Sequence, residues 1–186
     1  MRFVVIFLLI FCFGAHCGAN TPRNGGVYIT DSGHKFYWDH FPIQVHIDSS
    51  LSLAIKQQIY LAVGHWNGIV GAEVFQALDI PNASPEIPIF EATSISQKEL
   101  GRNSRGQEIR GLASVYSEHS GRIRSAVMWL DLDLEISHVR MTTIHELGHA
   151  LALRHDGDPR SRMYRSTVFG QVFMREDIDH VRNMMR

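Results

Sequence analysis

His145-Glu146-Leu147-Gly148-His149-Ala150-Leu151-Ala152-Leu153-Arg154-His155 is the stretch from which the rest of this 186-residue chain can be read. Its pattern predicts a helix from about His138 to Leu153, with Ser137 as its N-cap. Residues four apart on a helix share a face, so His145 and His149 can offer two imidazole nitrogens to one metal ion. Glu146, next to His145, projects to the side of that pair and can reach a water at the metal without taking a coordination position. His155 follows His149 at the spacing of a third ligand delivered once the helix has turned. A catalytic zinc site uses three protein ligands and keeps a fourth position for water. The stretch therefore nominates His145, His149 and His155 as zinc ligands and Glu146 as general base.

Beyond His155 comes Asp158-Pro159-Arg160-Ser161-Arg162-Met163-Tyr164. The run from His145 to Tyr164 resembles the zinc-binding helix and Met-turn of the metzincins, and among them it is most similar to the matrixins. Weaker similarities extend across Pro42–Asp48, Trp66-Asn67, Gly111-Leu112-Ala113 and Glu176-Asp177-Ile178-Asp179. The resemblance implies an α+β domain with a twisted, mostly parallel sheet of about five strands and three helices. It implies that Met163 packs beneath the metal without binding it, that Tyr164 belongs to the substrate pocket, and that a peptide lies along an edge strand near Ala113–Tyr116. Pocket walls would include Val168 and Phe169. The chain departs from the matrixin pattern at Ala152, where the family places glycine, at Asp156, where it carries a small hydroxyl residue, and at Arg165, where it carries proline. It has no cysteine-switch sequence and no counterpart of the His-rich loop that holds a structural zinc.

Elsewhere the periodicity is plain. Asp31-Ser32-Gly33 marks a hairpin turn between aromatic segments. Ile43, Val45 and Ile47 alternate with polar residues, as a half-buried strand does. Ile55, Ile59, Val63, Trp66 and Val70 recur at helical spacing and stop near Gly71. Apolar runs at Val74–Leu78, Ile87–Phe90, Leu112–Tyr116 and Ile123–Leu130 are predicted strands of one sheet. Ser96–Gly111 is a predicted loop, and a last helix starts near Arg175. Strands, helix, strands and helices in that order give an α+β class.

Composition narrows the function. Lys plus Arg number 18 against 19 Asp plus Glu, for a net charge of -1. Nothing in that balance favours nucleic acid, which calls for a basic face. The two cysteines, Cys12 and Cys17, fall in the first 17 residues, which excludes a disulfide scaffold. Arg2, the apolar run Phe3–Phe13 and the small residues after it describe a signal peptide over residues 1–19, too short to span a bilayer. An uncleaved anchor is the alternative. The mature chain, residues 20–186, is then one catalytic domain, secreted or periplasmic, with no stable membrane association. Its oligomeric state is not encoded in any pattern.

The expected activity is that of a zinc endopeptidase acting on protein or peptide substrates. Two rivals accompany it: a noncatalytic zinc-bound module that binds peptides or inhibits proteases, and a metal-free structural protein. Asp131, Asp133 and Glu135 could bind calcium, although a solvated strand end accounts for them as well. The other histidines of the mature chain (His34, His40, His46, His65, His119, His138 and His180) share no ligand spacing and are assigned to surface or packing. Asn82-Ala83-Ser84 matches a glycosylation acceptor.

Overall fold

Alternation in Ile43–Ile47 produces β1, whose Ile43, Val45 and Ile47 are buried while Gln44 is exposed. The computed structural model describes residues 26–79, 87–91, 110–131, 135–167 and 169–186. Residues 1–19, expected to be a signal peptide, the Asn82 triplet, nearly all of the Ser96–Gly111 segment, Asp133 and Val168 lie outside the described residues.

Helix α1, Leu53–Val70, is capped by the Ser52 hydroxyl, which accepts from the Ile55 N–H. It ends at Gly71, whose φ of 78° is open to glycine at little cost. Ile55, Ile59, Val63, Trp66 and Val70 form its buried stripe, as their spacing predicted. Strands β2 (Phe75–Leu78), β3 (Ile87–Glu91), β4 (Gly111–Ser117) and β5 (Ile123–Leu130) join β1 in one sheet of order β2-β1-β3-β5-β4. The first four in that order run parallel, and β4 is antiparallel to β5 on the edge. Val45 sits level with Ala77 of β2 and Ile87 of β3, fixing the register that sends β1's apolar side into the core. The fold is α+β with a five-stranded mixed sheet and three helices.

Helix α2, Ile136–Ala150, packs against α1, β4 and β5. Every residue from Met141 to Ala150 is buried, among them Thr142, Thr143, His145, Glu146 and His149. A helical segment enclosed on all sides, as Met141–Ala150 is, has no free polar face, so each of these groups must find a partner inside. Helix α3, Arg175–Met184, starts where the Asp177 carboxylate accepts from the Met174 N–H. Among the described residues no helix is long and apolar enough to cross a membrane.

Three expectations need correction. Ser137 lies within α2 and does not cap it; Glu135 holds the N-cap position, with no side-chain cap bond. The helix stops at Ala150 and not at Leu153, because Ala152 takes φ 65° and turns the chain out. Gly111 opens β4 and is not loop, since it pairs with Leu130. The turn at Asp31–Gly33 forms as expected, closed by bonds from Thr30 N–H to the His34 carbonyl and from Gly33 N–H to the Thr30 carbonyl.

Candidate metal centre

The helical spacing does what the sequence required. His145 and His149 leave one face of α2, and the chain returns His155 to them. Their Nε2 atoms form a nearly equilateral triangle: 3.1 Å from His149 to His145, 3.2 Å from His145 to His155, and 3.2 Å from His149 to His155. The three rings could hold a metal ion, and they are the one such cluster found among the described residues.

The other ring nitrogen decides what the triangle is made of. His145 Nδ1 lies 2.9 Å from the Arg162 carbonyl, and His149 Nδ1 lies 2.8 Å from the Leu153 carbonyl. A carbonyl only accepts, so each Nδ1 carries the proton and each Nε2 is left a bare lone pair. Lone pairs converging in a buried space repel one another unless a cation or a proton sits between them. Protons are disfavoured. Burial pushes the imidazoles down, His145 to about 4, His155 to about 3 and His149 well below its ordinary value. Outer carbonyls that fix the tautomer are the usual support of metal-binding imidazoles.

Glu146 is buried beside the triad, with the Ala113 N–H of β4 on its carboxylate. In the metal-free chain burial raises it to about 8, opposed by that hydrogen bond. Gly111 makes room for it. A Cβ there would stand 2.9 Å from Glu146 Oε1 and 2.5 Å from Thr142 Cγ2. Met163 is fully buried, and a Cβ on Gly148 would come within 2.4 Å of its Sδ, so the methionine lies hard against the ligand helix. Ala113 is buried on β4. Tyr164 is half-buried, with the Arg165 guanidinium over its ring. Phe169 is exposed and edges onto His138.

The turn that delivers His155 is held by residues no local pattern revealed. Four successive carbonyls leave the end of α2, three with partners from elsewhere in the chain and one with a partner on α2 itself. The Trp38 indole N–H donates to Ala150, the His180 ring of α3 to Leu151, the Tyr28 N–H to Ala152 and the His149 ring to Leu153. Arg154 N–H in turn donates to the Gly26 carbonyl. These contacts satisfy the carbonyls a helix end always orphans, and they fix a turn that alanine does not favour. Trp38 acts across 112 residues, so no window of sequence could expose it. His180, assigned to ordinary packing, is one of these four anchors.

Of the acidic residues expected at a solvated strand end, Asp133 lies outside the described residues. Asp131 is buried and paired with Arg110 at 2.9 Å, while Glu135 is exposed and lies 3.4 Å from His138. No protein-family model matches this chain, and no curated protein matches it.

Proposed function

We propose that the chain is a secreted or periplasmic zinc endopeptidase of metzincin type, nearest in its site to the matrixins. The triangle of Nε2 atoms carries the reading, two of them left bare by the carbonyls that bind His145 and His149 through Nδ1. Three nitrogens at zinc distances of about 2.0–2.1 Å in a tetrahedral site stand roughly 3.3 Å apart, close to the observed 3.1 and 3.2 Å. Imidazole donors also suit zinc better than calcium or magnesium, which seek oxygen.

His145, His149 and His155 would hold the ion, which when bound supplies Lewis acidity toward a carbonyl oxygen and draws the pKa of water toward about 7. Glu146, steadied by the Ala113 N–H, accepts the proton that water loses on attacking the scissile carbonyl and gives it to the departing amine. The outer edge of β4 supplies main-chain groups against which an extended peptide can lie. Tyr164 and the residues after it flank the reacting bond. The retained buried carboxylate favours catalysis over a noncatalytic zinc module, because a structural site closes its fourth position and needs no base.

The test is Glu146→Gln, with zinc content and peptide cleavage measured on the same preparation. Zinc should stay while cleavage falls by about 10²–10⁴-fold. Unchanged cleavage would remove Glu146 from its role, and zinc-loaded wild-type protein that binds peptides without cutting them would favour the module.

A further inference from the structure

Arg162 precedes Met163, and its carbonyl holds His145, yet its side chain has no part in the centre described above. The residue is 8% exposed. Nη2 donates to the Gln171 carbonyl at 2.6 Å, while Nε and Nη1 are buried with no hydrogen-bond partner. Among the described residues no carboxylate pairs with it. The charged groups near it are cations: Arg140 of α2 bears on Arg162, and both bear on His65 of α1. His65 is exposed and Arg140 half-buried, so the cluster leads from solvent inward to Arg162.

A fold that buried this guanidinium for stability alone would give it an acid, because an uncompensated buried charge is among the most costly groups a protein can enclose. Buried guanidinium N–H groups with nothing opposite them suit the charged oxygens of a carboxylate.

We propose that Arg162, with Arg140 and His65 about it, forms a carboxylate-binding site beside the metal centre, filled by an acidic side chain of the bound peptide. The source of the carboxylate rests on the peptidase reading; the binding chemistry does not. The first arm therefore uses metal-free protein, with succinate or acetate titrated against chloride at matched pH and ionic strength while thermal unfolding is followed. Wild type should gain melting temperature saturably with the carboxylates and not with chloride. Arg162→Met should melt higher than wild type in chloride and lose the carboxylate response, because it removes a charge that lacks a partner. Arg140→Gln, at the half-buried rim, should keep the fold and weaken the response severalfold, which covers the case of an unfolded Arg162 variant. Equal effects of carboxylate and chloride on wild type, a retained response in Arg162→Met, or a lower melting temperature for it in chloride would each overturn the site.

The second arm uses zinc-loaded protein and peptide pairs differing only in Glu or Gln near the cut. Glu should be preferred by about tenfold in kcat/KM, and Arg140→Gln should reduce that preference severalfold. No preference, with succinate binding intact, overturns the peptide as source and leaves free carboxylates as the ligand. No cleavage of any peptide, with succinate binding intact, overturns the peptidase reading and leaves the site standing.

Discussion

Two helices in this fold end on a left-handed residue, and they do so differently. Helix α1 leaves through Gly71 at φ 78°, its N–H bonded to the Asn67 carbonyl. Asn67 then ties the exit to β2 by accepting from Val74 and Phe75 and donating to the Phe75 carbonyl. Helix α2 leaves through Ala152 at φ 65°, a conformation that L side chains seldom adopt. There the turn is imposed from outside the helix by Trp38, His180 and the Tyr28 N–H, and from within it by the His149 ring. The first exit is unstrained, tied locally by Asn67 and from one distant residue, Arg182 of α3, which donates to the Ile69 and Val70 carbonyls. The second is strained, enclosed and fastened from three distant parts of the chain, and it is the one that aims His155. Strain of this kind persists only where the surroundings over-determine it.

Acid separates the two ends most sharply. At the α2 exit, His145 in the folded metal-free chain takes a proton only near pH 4 and His155 only near pH 3, whereas the unfolded chain takes them near 6.5. A lowered folded value means stability that is present above 6.5 and lost as pH falls toward the folded values. Between pH 6.5 and 5 each lowered imidazole should lose roughly 1.6 kcal/mol, a combined loss that Glu146, raised to about 8 in the folded chain, offsets only in part. Urea unfolding of metal-free protein across that range measures it. A flat profile would mean that the triad is not enclosed as described.

Trp38 tests whether the outer fastening matters. Trp38→Phe keeps most of the apolar bulk and strands the Ala150 carbonyl, which should cost about 1–3 kcal/mol and loosen His155. The check is a paired measurement of stability and zinc affinity, and affinity should fall along with stability. A loss of stability with zinc affinity untouched would separate the turn from the metal site.

The contrast also shows what the sequence could and could not disclose. Helical spacing made His145 and His149 legible, and the alternation in β1 and the stripe on α1 made most of the sheet and one helix legible. Gly71 was readable as a stop because glycine at a helix end states its own conformation. Ala152 was readable only as a departure from a resembling pattern. Ser137 looked like a cap because its hydroxyl can serve as one, but the helix begins one residue earlier and uses the turn at Glu135. Trp38, Tyr28 and His180 were illegible because their work lies in contacts made across the whole chain. Gly111 was read as the end of a polar loop, and its need for an absent side chain emerges only once Glu146 stands opposite.

The smallest expected effect is the most discriminating. At Gly71 a Cβ would meet nothing within 4 Å, so Gly71→Ala adds backbone strain with no packing in return, a loss of about 1 kcal/mol. The reverse change at the other exit does not give the reverse result. Ala152→Gly relieves about 1–2 kcal/mol of left-handed strain. It also frees the unfolded chain by about 0.5–1 kcal/mol. The methyl it removes is fully buried in the core, which forfeits about 0.8 kcal/mol more. These terms nearly cancel, so Ala152→Gly should leave stability within about 0.5 kcal/mol of wild type. Urea unfolding of the two variants side by side is sufficient. A gain well beyond that for Ala152→Gly would show that the methyl contributes little, and that alanine stands at this turn for a reason other than packing.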